Sequence, residues 1–190
     1  MLKQLKPALI IFLSMAILTG ILYPLAITGV AQVIFPHQAN GSLITSNGKV
    51  VGSALIGQQF TDPKYFWGRL SDTGSTPYDA SNSGGSNYSV LNPALITEAQ
   101  ARLKALHDAD PTNTQPVPVD LVTSSGSGLD PDISIAAALY QAPRVARVRG
   151  LALDKVMALI AQHTQGRMLG FLGEPRVNVL ELNLALDELK

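Results

Sequence analysis

Cysteine is absent from the sequence. Disulfides, thiolate zinc sites and thiol nucleophiles are excluded together, and the redox compartment is left open. Histidine is scarce, and His37, His107 and His163 stand apart with no second His at helical spacing. They form no ligand set, so no metal site is expected and each reads as a surface histidine. The Gly-x-Ser-x-Gly elbow of a serine hydrolase is missing from both "SGGSNY" and "SSGSGLD". Asp130 and Asp132 are paired carboxylates, but their spacing next to Pro131 suits a helix start better than acid-base work. An excess of charge of one sign is lacking too, with 14 Lys and Arg against 14 Asp and Glu. No overall field draws in nucleic acid. No catalytic constellation and no internal repeat emerge.

What the chain does have is a long apolar run. No charged side chain lies between Pro7 and Phe35, and no acidic residue precedes Asp62. The run exceeds the roughly 20 residues that a helix needs to cross a bilayer. Lys3 and Lys6 lie on its N-terminal side and the next cation is Lys49, so the positive-inside rule keeps the N-terminus in the cytoplasm. Three segments follow: a cytoplasmic N-terminus (1–6), a transmembrane anchor region (7–35) and an extracytoplasmic domain (36–190). A cleaved signal peptide ending at Gly29-Val30-Ala31 is the rival. The run is longer than the about 7 to 15 residues of a signal core, and Tyr23-Pro24 interrupts it where an anchor approaches the outer interface. An uncleaved anchor fits better. Ala16 and Gly20, four apart with Thr19 beside them, give a small-residue surface on which another membrane helix can pack, although such residues are common in any spanning helix.

Beyond the anchor, "GSLITSNGKVVGSALIG" reads as a β-hairpin turning at Ser46-Asn47-Gly48. The next stretch is rich in Gly, Ser, Asn and Pro and carries Tyr65, Phe66, Trp67, Tyr78 and Tyr88. It reads as an ordered loop whose rings either anchor a partner or pack under the loop itself. From Pro93, Leu95, Ala99, Leu103 and Leu106 recur at helical spacing. "VPVDLVTSS" reads as a short strand, and helices punctuated by Pro143 and Gly150 follow, with Val156, Leu159 and Ile160 inward. Val177 to Leu182 reads as a strand, with Asn183 capping a last helical turn. The fold class is α+β: one N-terminal transmembrane helix, then one domain with a small β-sheet and packed helices.

Two clusters raise binding questions. Ser124 to Gly128, taken as a loop between strand and helix, presents backbone N–H groups that can hold phosphate. Ser125, Gly126, Ser127, Gly128 and Asp130 are therefore candidates for a nucleotide site or for a capped turn. The missing Lys-Ser/Thr ending of a P-loop, and Asp130 at the helix entrance, favour the capped turn. Arg144, Arg147 and Arg149 form a basic cluster that either docks partner carboxylates or is a solvated helix face. With Tyr65, Phe66, Trp67 and Arg69 they make up the candidate partner contacts.

"TGILYPLAITGVAQVIFP", "VGSALIGQQF", "YFWGR", "NPAL", "VPVDLVTSSGSGLDPDIS", "RVARVRGL", "HTQGR" and "LGFLGEPRVNVLELNLALD" occur in this order. Together they resemble the C subunit of the bacterial Kdp-type potassium-transporting ATPase. Departures are small: Leu70 where Pro is usual, Asp132 where His is frequent, and Pro143 before Arg144. The resemblance implies a non-catalytic accessory subunit in the bacterial inner membrane. Its implied partners are a potassium-conducting channel-like subunit, a P-type ATPase subunit and a small single-span subunit. It also implies a catalytic chaperone that raises the ATP affinity of the ATPase subunit, so ATP is met, if at all, through the complex. The phosphorylated-aspartate motif D-K-T-G is lacking. The alternatives are a membrane-anchored extracytoplasmic enzyme and a secreted binding module released after Ala31.

Overall fold

The computed structural model describes residues 2–189, so Met1 and Lys190, the outer ends of the expected first and last segments, lie outside the described residues. The chain divides into two compact units, the first ending at Ile44 and the second beginning at Thr45.

The first unit is dominated by an apolar helix of 30 residues, Leu5–Ile34, long enough to cross a membrane and with none of its residues buried within the chain. It comprises α1 (Leu5–Ile17), a π turn over Leu18–Leu22, and α2 (Tyr23–Ile34). Tyr23-Pro24 does not interrupt the helix, contrary to the sequence reading. Pro24 has no N–H to give the helical ladder, and immediately before it the Tyr23 N–H reaches back five residues to the Leu18 carbonyl. The widened turn absorbs the missing donor and the helix continues. Thr19 Oγ1 donates to the Met15 carbonyl at 2.7 Å, so its hydroxyl is satisfied in an apolar setting. A short α3 (Pro36–Ala39) follows.

β1 (Leu43–Ser46) and β2 (Lys49–Ser53) form the expected hairpin, turning at Asn47 and Gly48 with φ of 51° and 75°. Irregular chain leads to α4 (Pro93–Ala109), whose N-cap Asn92 accepts from the Ala94 N–H at 3.0 Å. Leu106 is buried on its inner face, while Leu103 turns outward.

The strand expected in "VPVDLVTSS" is absent. Pro116 and Pro118 cannot donate to a ladder, and Val119–Leu121 tightens into a 3-10 turn. Asp120 is drawn to Ser134, accepting from its N–H at 2.7 Å and from its hydroxyl at 3.1 Å. Only Ser124 makes a lone parallel bridge, to Leu70.

β3 (Asp132–Ser134) leads into α5 (Ile135–Arg149), so Asp130 does not cap that helix. Ser134 does, accepting from the Ala137 N–H at 3.0 Å. Pro143 does not end α5, because it lies on the exposed side, where water can serve the carbonyl it leaves unpaired. α6 (Leu153–Gln162), β4 (Thr164–Gln165), β5 (Arg176–Asn178) and α7 (Val179–Glu188) complete the unit. The last strand is shorter than Val177 to Leu182, and Asn178, not Asn183, caps α7 by accepting from the Glu181 N–H at 3.1 Å.

The three-stranded antiparallel sheet has the order β3-β5-β4, with Ile133 and Thr164 both opposite Val177. α6 packs on both α5 and α7, and α5 and α7 reach the sheet. Ile133, Val145, Val156, Ile160, Val177, Leu182 and Leu186 share one core with Phe66 and Trp67 from the irregular segment.

Candidate interaction site

The "YFWGR" stretch has no regular secondary structure, so its buried peptide groups need partners other than a strand or helix ladder. Two side-chain amides supply them. On α7, Asn183 accepts from the Phe66 N–H at 2.8 Å and donates to the Phe66 carbonyl at 3.0 Å. On α5, Gln141 accepts from the Trp67 N–H at 2.8 Å and donates to the Trp67 carbonyl at 3.1 Å. Two successive residues are each gripped on both backbone groups by an amide that mimics a strand neighbour.

Two guanidinium groups lie over the Trp67 ring, Arg102 at 5.0 Å and Arg144 at 4.7 Å from its centroid. Its indole N–H donates to the Asp62 carbonyl at 3.0 Å. Arg144 gives its fork to the Pro63 carbonyl and to Gln141 Oε1. Burial pushes the Arg144 pKa down to about 10, with Asp110 opposing the shift. Phe66, Trp67 and Arg144 are thus only 0%, 5% and 2% exposed. This corrects the expectation that they are partner contacts: their rings and charge are spent inside the chain, and for Arg144 the solvated-face reading fails as well.

The other candidates are also engaged. Tyr65 donates its hydroxyl to Asp187 at 3.0 Å and carries the Arg149 guanidinium 4.9 Å over its ring. Arg149 pairs with Asp187 at 2.6 Å and donates to the Lys64 carbonyl at 2.8 Å. Arg147, the exposed member of the cluster, pairs with the buried Asp110 at 2.8 Å. Arg69 pairs with Asp130 at 3.1 Å and donates to the Ser124 carbonyl at 3.1 Å.

Arg69 leads to the Ser/Gly loop. Ser125 N–H donates to the Leu70 carbonyl at 3.3 Å, Gly128 N–H to the Ser125 carbonyl at 3.3 Å, and Leu129 N–H to Ser127 Oγ at 3.1 Å. These three N–H groups are therefore not free to hold a phosphate. The loop's carbonyls are taken up as well: Ser127 accepts from Gly84 N–H at 2.9 Å, and Gly128 accepts from Ser71 Oγ at 2.6 Å. Tyr78 tightens the same region by donating its hydroxyl to the Arg69 carbonyl at 2.6 Å, and burial pushes its pKa up to about 12. Asp130 Oδ1 accepts from the Asp132 N–H at 3.0 Å, closing a turn ahead of β3.

Beside this loop opens a cleft of about 320 Å3 lined by Arg69, Asp120, Asp130, Asp132, Glu174 and Arg176 among others. Arg176 pairs with Asp132 at 2.8 Å. Burial raises the Asp132 pKa above its ordinary value, and Arg176 opposes the rise. Among the described residues, no group of three or more His, Asp or Glu side chains is placed to hold a metal. The arrangement braces a loop against three helices; its arginines are spent on ion pairs and on carbonyl groups of the chain.

A profile described as the c chain of a K+-transporting ATPase, KdpC, matches residues 5–188. The chain belongs to the KdpC family. A potassium-transporting ATPase KdpC subunit from Polaromonas naphthalenivorans is 63% identical over 186 residues, covering 98% of this chain and 95% of that protein. Its counterpart from Herpetosiphon aurantiacus is 60% identical over 185 residues, covering 97% and 96%. That from Methylococcus capsulatus is 58% identical over 190 residues and covers both chains fully, 100% of each. The chain is accordingly a KdpC-type subunit of a potassium-transporting ATPase, with one helix able to span the membrane.

Neither Gln141, nor Asn183, which was read only as a helix cap, nor Arg102 was among the site candidates drawn from the sequence. A signal for the first two exists: each is a polar residue on the inward helical stripe, Gln141 with Ala137, Ala138 and Val145, Asn183 with Val179, Leu182 and Leu186.

Proposed function

We propose that the chain is a non-catalytic accessory subunit of a high-affinity, ATP-driven potassium uptake complex. In this reading it assembles or stabilises the complex and acts as a catalytic chaperone, raising the affinity of the P-type ATPase subunit for ATP. The observation that carries the reading is the family match over residues 5–188, which takes in the spanning helix and the second unit alike.

Lys3 and Lys6, at the N-terminal end of the apolar run, support a cytoplasmic N-terminus in the bacterial inner membrane, with the second unit outside. The partners are the potassium-conducting subunit, the P-type ATPase subunit and a small single-span subunit. Ala16, Thr19 and Gly20 supply a face for a neighbouring membrane helix, and a side chain added at Gly20 would meet nothing within 4 Å in this chain. An effect on ATP from outside the membrane needs no nucleotide contact: a subunit that binds the nucleotide-competent state more tightly shifts the complex toward it, and linkage makes the coupling reciprocal.

The test is mild-detergent extraction of the tagged full chain from potassium-starved cells, with mass spectrometry of what co-purifies, followed by ATPase titrations of the complex with and without this chain. Recovery with the ATPase and potassium-conducting subunits, and a lower KM for ATP when the chain is present, is the expected result. Recovery alone from an intact membrane extract refutes the accessory role. An unchanged KM in the assembled complex refutes the chaperone role and leaves assembly.

A further inference from the structure

The β4–β5 hairpin extends past its ladder into a projecting arm. Beyond the last ladder pair, Gln165 opposite Arg176, Arg167 and Glu174 close a neck with an ion pair at 2.7 Å. Farther out, Met168 and Leu172 exchange N–H to carbonyl bonds of 2.9 Å each. Gly170 N–H donates to the Arg167 carbonyl at 3.1 Å, and Phe171 N–H to the Met168 carbonyl at 3.3 Å. On this hydrogen-bonded frame Met168, Leu169, Phe171 and Leu172 are 67%, 78%, 70% and 46% exposed.

The turn residues are Leu169 and Gly170, with φ of 53° and 81°. A left-handed leucine is an outlier, since Asn, Asp and Gly are the residues that tolerate this conformation. The same chain shows the favoured solution at Asn47-Gly48, where a comparable turn carries suitable residues. At position 169 the chain instead holds a bulky apolar side chain against its backbone preference, and exposes it. Strain kept together with exposed apolar surface gains nothing inside this chain; its return lies in a contact with another molecule.

We propose that this tip is a preformed knob that seats in an apolar socket on another subunit of the potassium-transporting ATPase. The inference rests on the reading of the chain as a subunit of that complex. A protein socket fits the observations better than a bilayer does. Lipid rewards apolar area whatever its shape, so a strained, hydrogen-bonded turn brings no advantage there; a socket rewards a fixed shape, because a preorganised knob loses little freedom on binding. Membrane-surface segments are also rich in unpaired Lys and Arg. Here Arg167 is paired, and the Glu174 side chain beside it is 78% exposed, a charge that an anionic surface repels.

The chain has no cysteine, so Leu169→Cys places a single label without background. The full chain bearing a benzophenone maleimide at position 169 is assembled with its complex, irradiated and mapped by mass spectrometry. Cross-linking to an apolar segment of another subunit is expected. An adduct confined to lipid, or to a second copy of this chain, overturns the proposal.

A second measurement uses Leu169→Asn, alone and with Phe171→Ser. Leu169→Asn relieves the turn, so the full chain in detergent is expected to melt no lower than the wild type. The double variant is expected to bind the complex about tenfold more weakly, as for loss of a small interface anchor. A lower melting temperature for Leu169→Asn, or equal recovery of wild type and double variant with the complex, overturns the knob. If wild type itself recovers no ATPase subunit, the accessory-subunit reading falls first and takes this inference with it.

Discussion

Replacing Asn183 with Leu tests the central brace of the second unit. The two side chains share the same branched arrangement of heavy atoms, so the change removes hydrogen bonds without opening a cavity. Phe66 is 0% exposed, and Asn183 serves both its N–H and its carbonyl. Each buried backbone group left without a partner costs about 1–3 kcal/mol. The added apolar burial of Leu offsets about 1–2 kcal/mol of this. A net loss of about 3 kcal/mol is expected, a large part of the roughly 5–15 kcal/mol that holds a domain together. Trp67 is the only tryptophan and adjoins the gripped residue, so its fluorescence during urea unfolding of the full chain in detergent reports on the brace directly.

Gln141→Leu removes the equivalent pair from Trp67, and the double variant tells whether the two grips form one latch. They hold adjacent peptide groups, so once either lets go the other has less to hold. The double variant is therefore expected to lose less than the two single losses together, by about 0.5–3 kcal/mol, the range for residues that share a network. A single loss below about 1 kcal/mol, or strict additivity, would refute the reasoning that these amides stand in for a missing strand.

Gly128→Ala places a Cβ 2.5 Å from both the Gly84 carbonyl oxygen and Thr73 Cγ2, at a φ of 67°. A loss of about 2–3 kcal/mol in the same unfolding assay is expected, with backbone on one side unable to retreat. Arg144→Lys keeps the charge but loses the guanidinium contact with the Trp67 ring and the fork to Pro63 and Gln141, so about 2 kcal/mol and a changed Trp67 emission are expected. Asp132 holds its proton more tightly in the folded chain than in the unfolded one, because burial raises its pKa from 3.8 despite Arg176. Its contribution to stability therefore falls as pH rises from 3.8 through the raised value. The stability of wild type relative to Asp132→Asn is expected to decline over that window, and a difference that stays constant with pH would contradict it.

Much of the fold was legible where the signal is local. Asn47-Gly48 specifies its hairpin by backbone tolerance alone, and the uncharged run from Pro7 to Phe35 specifies its helix by length. Val156, Leu159 and Ile160 were readable because a 3.6-residue period places them on one face. The misreadings lie at boundaries where several residues compete for one role. Asp130, Ser134, Asn178 and Asn183 are all able caps; the pairing of β3 with β5 decides among them, since it holds 132–134 and 176–178 extended and leaves Ser134 and Asn178 as the first residues free to cap. Such pairing joins segments more than forty residues apart and leaves no mark in either one.

The candidate site was harder to read for a related reason. Aromatic and arginine side chains that are dense in a Gly- and Ser-rich loop look alike in sequence whether they face a partner or one another. Their direction is set by groups far along the chain: Asn183 lies 117 residues from Phe66, Gln141 lies 74 from Trp67, and Arg144 lies 81 from Pro63. These three side chains turn an irregular loop into a substitute for a strand, and in doing so they draw the rings and one guanidinium inward. A loop without its own ladder can be buried only if side chains complete its backbone, so a buried aromatic loop implies polar residues on the apolar faces of its neighbouring helices. Gln141 and Asn183 are such residues, and polar exceptions on an apolar stripe were therefore the better guide to this site than the aromatics themselves.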